Sequence, residues 1–286
     1  MKRIVTLQDI SCVGRCSLTV ALPIISAMGV ECGILPTAVL STHTMFKTFT
    51  CKDLSDQIEP ISAAWQQEGI EFDGIYTGYL ASADQCRQVC RFFDKFRKKA
   101  GQESSGESNV IIVDPAMADN GKLYAAFDDA FPAQMAKVCA RADIILPNIT
   151  EASLLTGLPY RTEYDECYIQ ELLDGLLKLG CRTAVITGVS YDPEKLGVVY
   201  RDQDGNGFSF FTRRCAQNYH GTGDIFSSTF TGGLMRGLSM GDALALAADY
   251  VVECIEATAG SAAPRWYGAE FEAKIPWLCE NLKARL

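Results

Sequence analysis

The chain has 286 residues, 48% hydrophobic and 21% charged, an ordinary soluble profile long enough to bury a large core without disulfide or metal staples. Its formal net charge of −9 argues against general nucleic-acid binding, which needs a basic surface, and leaves room only for a local phosphate pocket. Twelve cysteines with no C-x-x-C pair stand beside only two histidines, His43 and His220, which argues against a His-rich zinc site; the cysteines read as reduced thiols, mostly buried.

In chain order, Lys2 and Arg3 precede apolar residues as in a signal peptide, but Asp9 and Arg15 interrupt the run and no cleavage pattern follows. The uncharged stretch 16–30 contains Pro23 and Gly29 and is too short to span a bilayer, so a cytoplasmic protein is expected. RIVTLQ predicts a strand, SLTVALPIISAMG a helix closed by Gly29, and VECGILPTAVL a second strand. DLSDQIEPISAAWQQEG has helical spacing, with Ile58, Ile61 and Trp65 on one face and Gly69 as the stop. DGIYTGYL predicts a short buried strand. SADQCRQVCRFFDKFRKKA predicts an amphipathic helix that Ser82 can cap, with basic residues at its C-terminal end, where the helix dipole favours them. GQESSGES is a polar loop too short to link domains.

NVIIVDP, ADIILPN and CRTAVITG predict three further buried strands, and LGVVYRDQDGNGFSFFTRR a hairpin turning near Asp204-Gly205. From Gly223 the chain is mostly helix, in the runs DIFSSTFTGGLMRG, MGDALALAADYVVECIEAT and AEFEAKIPWLCENLKARL. Strands alternating with helices predict an α/β protein with a mostly parallel sheet covered on both faces. No composition shift marks a boundary, so residues 1–286 are expected to form a single domain.

In such sheets ligands collect beyond the carboxyl ends of the strands, where Asp9, Thr44 (a loop later), Tyr79, Asp114, Asn148 and Thr187 fall. The stretch NYHGTGDIFSS sets Asp224 behind Gly221, Thr222 and Gly223 at a helix start. Two explanations compete. Asp224 is a helix cap, or the glycine turn cradles an anion at a helix N-terminus and Asp224 accepts a proton beside it. The turn is neither a Walker A loop, lacking Lys-Ser or Lys-Thr, nor a dinucleotide fingerprint, its glycine spacing being wrong. In PNITEASLLTG, Asn148 and Glu151 enter a helix three residues apart. They are either ordinary first-turn residues or groups that hold a hydrated magnesium ion beside substrate phosphates. His43 and His220 are each either structural or substrate-facing.

HGTGD, PNITE and VDPAM together resemble the ribokinase-like superfamily of small-molecule kinases, and STHT with TGYLASADQ resembles its pyridoxal kinase branch, over about residues 3 to 260. The resemblance implies a three-layer α/β/α fold with no large separate lid domain. It implies ATP-dependent phosphorylation of the 5′-hydroxymethyl group of pyridoxal, pyridoxine or pyridoxamine. It assigns Asp224 as general base and Gly221, Thr222 and Gly223 as the γ-phosphate anion hole. Asp114, Asp119, Tyr124, Asn148, Glu151 and Thr187 become ATP-binding residues, with Asn148 and Glu151 organising Mg2+ through water. Asp9, His43, Thr44 and Tyr79 become substrate-binding residues, and a K+ requirement and a homodimer are further expectations. The chain departs from the branch at Asp9, where serine is usual, at Gly14-Arg15-Cys16-Ser17-Leu18 and at Thr42, all on the substrate side. Hydroxymethylpyrimidine kinase is the nearest alternative; a non-catalytic B6 carrier is a further one, though it would need neither Asp224, Asn148 nor Glu151.

Overall fold

A computed structural model describes residues 1–98 and 109–286; the GQESSGES loop and the last residues of the preceding helical run lie outside the described residues. The chain opens with β1 (Arg3–Val13), α1 (Leu18–Ala27), β2 (Glu31–Thr42), β3 (Cys51–Asp53) and α2 (Ser55–Gln67). It continues through β4 (Gly74–Thr77), α3 (Ala83–Phe96) and β5 (Val110–Val113) to a small ribbon of β6 (Ala118–Asp119) and β7 (Lys122–Leu123). Next come α4 (Phe131–Cys139), β8 (Ile144–Ile145), α5 (Ile149–Thr156), α6 (Glu166–Leu177) and β9 (Thr183–Val189). The hairpin β10 (Lys195–Asp202) and β11 (Gly207–Arg213) precedes α7 (Thr222–Met235), α8 (Met240–Ala259) and α9 (Ile275–Arg285).

Nine strands form one sheet in the order β11-β10-β9-β8-β5-β4-β1-β2-β3. From β9 to β2 every neighbouring pair is parallel, and antiparallel pairing is confined to the two edges. Alternating strand residues feed two cores. Val5, Leu7, Ile111, Val113, Ala184 and Ile186 pack under α2–α6, while Ile4, Tyr76, Ile112 and Val185 pack under α1, α7, α8 and α9. This is the predicted α/β/α sandwich, and the described residues contain no separate lid domain. The chain leaves β1 toward β2 on one side and returns to β4 on the other, so the topological switch lies between β1 and β4.

Several elements differ from expectation. β1 extends past Gln8 to Val13 because β2 keeps pairing with it after the register shift between Gln8 and Ile10. That irregularity falls at Asp9 and re-aims the strand end. ADIILPN forms only a two-residue strand, since Pro147 has no N–H to donate; its carbonyl instead accepts from Thr187 N–H at 2.9 Å. The final helix starts at Ile275 after a single 3-10 turn, so residues 269–271 are not helical. Helices α4 and α6 and strands β3, β6 and β7 have no counterpart among the predicted elements. The cysteines form no disulfide, and they are less buried than expected: Cys12, Cys51 and Cys167 are exposed and four more half-buried. No helix among the described residues is long and apolar enough to cross a membrane.

Candidate active site

The turn before α7 removes one of the two explanations of Asp224, the helix cap. Gly221 is the N-cap, with φ of 82°, and no side chain caps the helix. Asp224 is the third helical residue, so it is not the cap. A side chain at 221 is excluded twice: by the left-handed backbone, and because its Cβ would lie 1.8 Å from the Arg15 carbonyl oxygen. An uncapped N-terminus directs the first-turn N–H groups and the positive end of the dipole at whatever faces it.

What faces it is a cleft of about 530 Å³. Gly221, Thr222, Gly223 and Asp224 line it together with Asp114, Asp119, Tyr124, Asn148, Glu151 and Thr187. Every residue expected to act as base, anion hole or nucleotide contact therefore opens onto one cavity. The sequence did not single out the opposite, apolar wall, which includes Leu196, Val198, Val251, Val252 and Ile255 from β10 and α8. Their spacing marks a helix face or a strand face, and only the tertiary packing shows that this face borders a cavity rather than a core. A second cleft of about 480 Å³ shares Asp119, Asn148, Thr187 and Gly188 with the first.

The carboxylates here are electrostatically crowded. Asp224 is pushed up to about 8, first by burial, then by Asp114 and Asp9; the Ser17 backbone amide pulls it the other way. Asp114, at the end of β5, is pushed up to about 6 by burial, while the Ser227 hydroxyl donates to it at 2.7 Å and holds it back. Ser227 lies one turn after Asp224, so one face of α7 carries both groups toward the strand ends.

Asn148 and Glu151 form a reciprocal capping box on α5. Glu151 N–H donates to Asn148 Oδ1 at 3.0 Å, and Asn148 N–H donates to Glu151 Oε2 at 2.8 Å. The other carboxylate oxygen accepts from Met117 and Ala118 N–H, and Asn148 Nδ2 donates to the Ala118 carbonyl. The pair thus fastens the ribbon that presents Asp119 and Tyr124. Burial and Asp114 raise the proton affinity of Glu151, and these amides oppose the rise. Among the described residues no three His, Cys, Asp or Glu side chains are arranged to cage a metal ion. The site still suits Mg2+, which is commonly held by one or two carboxylates and by substrate phosphates: Asp114 raises the proton affinity of both Glu151 and Asp224, a concentration of negative charge that a divalent cation relieves.

The expected substrate residues are placed differently. Asp9, His43, Thr44 and Tyr79 line neither cleft; Met45 and His220 do border the larger one. Asp9 is 5% exposed and accepts from the Ser11 hydroxyl at 3.2 Å. Burial raises it, with the Ser17 and Ser11 side chains opposing. It lies close enough to raise Tyr79, Cys16 and Asp224 in turn, so it shares their neighbourhood. Tyr79 packs its ring 5.4 Å from Phe127. Both ring nitrogens of His43 are engaged by backbone, Nε2 with the Tyr267 carbonyl at 2.9 Å and Nδ1 accepting from Met45 N–H at 3.3 Å. His43 therefore carries its proton on Nε2 and offers a ligand its ring rather than a free nitrogen. The His220 ring lies 4.5 Å away, and burial followed by His43 lowers it to about 4, which keeps it neutral. Thr44 is exposed in the adjoining turn.

Comparison with known proteins places this chain in a family. The phosphomethylpyrimidine kinase family model matches residues 24–265. The hydroxymethylpyrimidine/phosphomethylpyrimidine kinase of Bacillus subtilis is 27% identical over 230 residues, covering 78% of this chain and 78% of that protein. A candidate phosphomethylpyrimidine kinase of Bacteroides thetaiotaomicron, solved in an orthorhombic form with pyridoxal, is 35% identical and superposes with a TM-score of 0.89 over 100% of this chain and 96% of that one. Pyridoxal kinase from Lactobacillus plantarum is 31% identical, with a TM-score of 0.87 over 98% and 97% of the two chains.

Proposed function

The chain belongs to the phosphomethylpyrimidine kinase family, within the ribokinase-like kinases, and from that premise we propose that it is a pyridoxal kinase. It transfers the γ-phosphoryl group of ATP to the 5′-hydroxymethyl oxygen of pyridoxal, pyridoxine or pyridoxamine in vitamin B6 salvage. The observation that carries this reading is the opening of Asp224, the uncapped N-terminus of α7, Asn148 and Glu151 onto one cleft. A binding protein for the vitamin would need none of that constellation.

The chemistry follows from the placement. The apolar wall of β10 and α8 takes the nucleotide base, and Thr187 and Asn148 lie toward the phosphates. The first-turn amides of α7 receive the γ-phosphoryl oxygens, where charge spreads in the transition state. Asp224 takes the proton of the substrate hydroxyl. That oxygen bonds to the γ-phosphorus as the bond to the β–γ bridging oxygen breaks, and ADP departs with the electron pair. Mg2+, when bound, supplies charge neutralisation at the phosphates, with Asn148 and Glu151 holding it through water and Asp114 beside them. Residues 1–286 act as one catalytic unit in this scheme. A cytoplasmic homodimer assisted by K+ completes the proposal.

Phosphorylation of hydroxymethylpyrimidine is the second reading, favoured by the family model and by the Bacillus subtilis relative. The deciding measurement is ADP release with pyridoxal, pyridoxine, pyridoxamine and hydroxymethylpyrimidine, with and without magnesium. Turnover with a B6 vitamer at a kcat/KM at least roughly tenfold above the pyrimidine supports the proposal. The reverse ratio establishes the pyrimidine kinase, and binding without turnover establishes a carrier.

A further inference from the structure

We propose that Arg15 is a positioning residue for the proton acceptor, clamping the C-terminal segment 267–272 over the loop that backs Asp224; this rests on the assignment of Asp224 as base. The Arg15 side chain is 15% exposed and spans three partners on that segment. Its Nε meets Glu272 Oε1 at 3.0 Å, its Nη1 meets Glu270 Oε1 at 3.7 Å, and the same nitrogen donates to the Gly268 carbonyl at 3.3 Å. The guanidinium lies 5.9 Å from the centre of the Tyr267 ring. The approach is close enough that a Cβ on Gly268 would sit 2.5 Å from Arg15 Cβ.

The segment is itself a fixed platform. Ala269 N–H donates to the His220 carbonyl at 3.3 Å, Glu270 N–H to Thr258 Oγ1 at 2.7 Å, and Tyr250 OH to the Phe271 carbonyl at 2.9 Å. His43 holds the Tyr267 carbonyl. On its other side Arg15 meets the catalytic turn directly, its carbonyl oxygen filling the space where Gly221 would carry a side chain. Two residues on, Ser17 turns its amide to Asp224.

Ser17 is also one of only two non-glycine residues with positive φ among the described residues, at φ 50° and ψ −132°. Such a conformation costs on the order of 1–3 kcal/mol and persists only where the surroundings hold it. The Arg15 clamp supplies that hold, and the strained residue is the one whose amide faces the base. Asp224 is also faced by Asp114 from β5, Asp9 from β1, Tyr76 from β4, Cys16 from the same loop and Tyr124 beyond the ribbon. Of these only Cys16, the chain neighbour of Arg15, lies in the clamped loop; the others sit on or beside separate strands.

The test compares Arg15→Ala, Arg15→Lys and the double substitution Glu270→Gln/Glu272→Gln with the parent, with Asp224→Asn as control. kcat, both KM values, the pH dependence of kcat/KM and the thermal midpoint are measured for each. Arg15→Ala is expected to lower kcat roughly tenfold or more with KM for ATP within about twofold, as for a displaced reacting group. Its acidic limb moves to higher pH, because Asp224 loses the Ser17 amide, and Arg15→Lys restores part of both. The glutamine pair separates the clamp from simple electrostatics. Removing two negative charges would by Coulomb's law lower the midpoint, whereas loosening the clamp raises it. An unmoved or lowered midpoint in the glutamine pair overturns the proposal, and it remains decisive if Arg15→Ala does not fold. If Asp224→Asn keeps turnover, the base assignment fails whatever Arg15 does; if it abolishes turnover while the Arg15 and glutamate variants are silent, only the clamp fails.

Discussion

The proposed nucleotide side, which lines the cleft, and the proposed substrate side, whose named residues do not, are built on different plans. On the nucleotide side, Asp114, Asn148, Glu151, Thr187 and the 221–224 turn come from strand ends and helix starts next to one another in the sheet, and all face one cavity. On the substrate side, at the β1/β4 switch, the named side chains are occupied by the protein itself: His43 by two backbone groups, Tyr79 by Phe127, Asp9 by Ser11. A distant segment, reached 224 residues on from His43 at Tyr267, packs against His43, with Trp266 4.6 Å from Phe46 between ring centres. The lesson is that phosphoryl transfer needs a few charged and backbone groups at fixed topological positions, which short motifs can encode. Selecting one alcohol needs a shaped wall, which distant segments assemble.

The sharpest break in that comparison is Asp224→Asn. It removes the proton acceptor and leaves the nucleotide wall intact, so kcat falls by roughly a hundredfold or more while ATP binding, followed by titration calorimetry, is retained. In the parent, kcat/KM for the free enzyme rises with pH around the Asp224 value of about 8, and this limb is missing from any residual activity of the variant. The linked stability has a definite sign. Asp224 binds its proton more tightly folded, about 8 against 3.8 unfolded, so its contribution is present below pH 3.8 and lost as pH rises toward 8. Asp224→Asn is therefore more stable than the parent at pH 8, by up to about 5 kcal/mol, a gap that closes toward pH 4 in denaturant titrations.

Glu151→Ala comes next, because it cuts the capping box and frees the ribbon together. Stability falls by about 2 kcal/mol from unpaired buried amides, and kcat falls roughly tenfold with a raised magnesium requirement. Glu151→Gln keeps the volume but sets an amide NH2 against a backbone N–H, so its thermal midpoint falls less than that of Glu151→Ala while the magnesium requirement still rises. A flat magnesium dependence in both variants would remove Glu151 from the metal site.

The smallest effect belongs to the substrate side. Asp9→Ser is expected to change KM for the vitamers by roughly three- to thirtyfold, unequally between pyridoxal and pyridoxamine, with KM for ATP unmoved. An equal change for every alcohol would show that Asp9 shapes the strand end without touching the ring.

Most of the sandwich was legible because buried parallel strands read as short β-branched runs and α1, α2, α3, α7 and α8 carry clear apolar spacing. The misses have local causes. β8 shrinks to two residues at Pro147, β3 is a three-residue edge, and the β6–β7 ribbon is too short for any periodicity. In the site, Asp224 stood out from its glycine turn, but the capping explanation fell only when Gly221 proved to be the cap. The apolar wall of the cleft was invisible because Val251, Val252 and Ile255 look like any core-facing helix stripe.

Local sequence by itself determined the α/β alternation, the strand ends where polar groups collect, and a glycine-led helix start carrying a carboxylate. These depend on backbone geometry within a few residues. Only the tertiary structure decided that Glu151 saturates its carboxylate with backbone amides, that His43 spends both nitrogens on its own chain, and that Arg15 meets both Gly221 and the 267–272 segment. Hydrogen-bond saturation and close approach are relations between segments far apart in the chain, and local periodicity carries no record of which segments will meet.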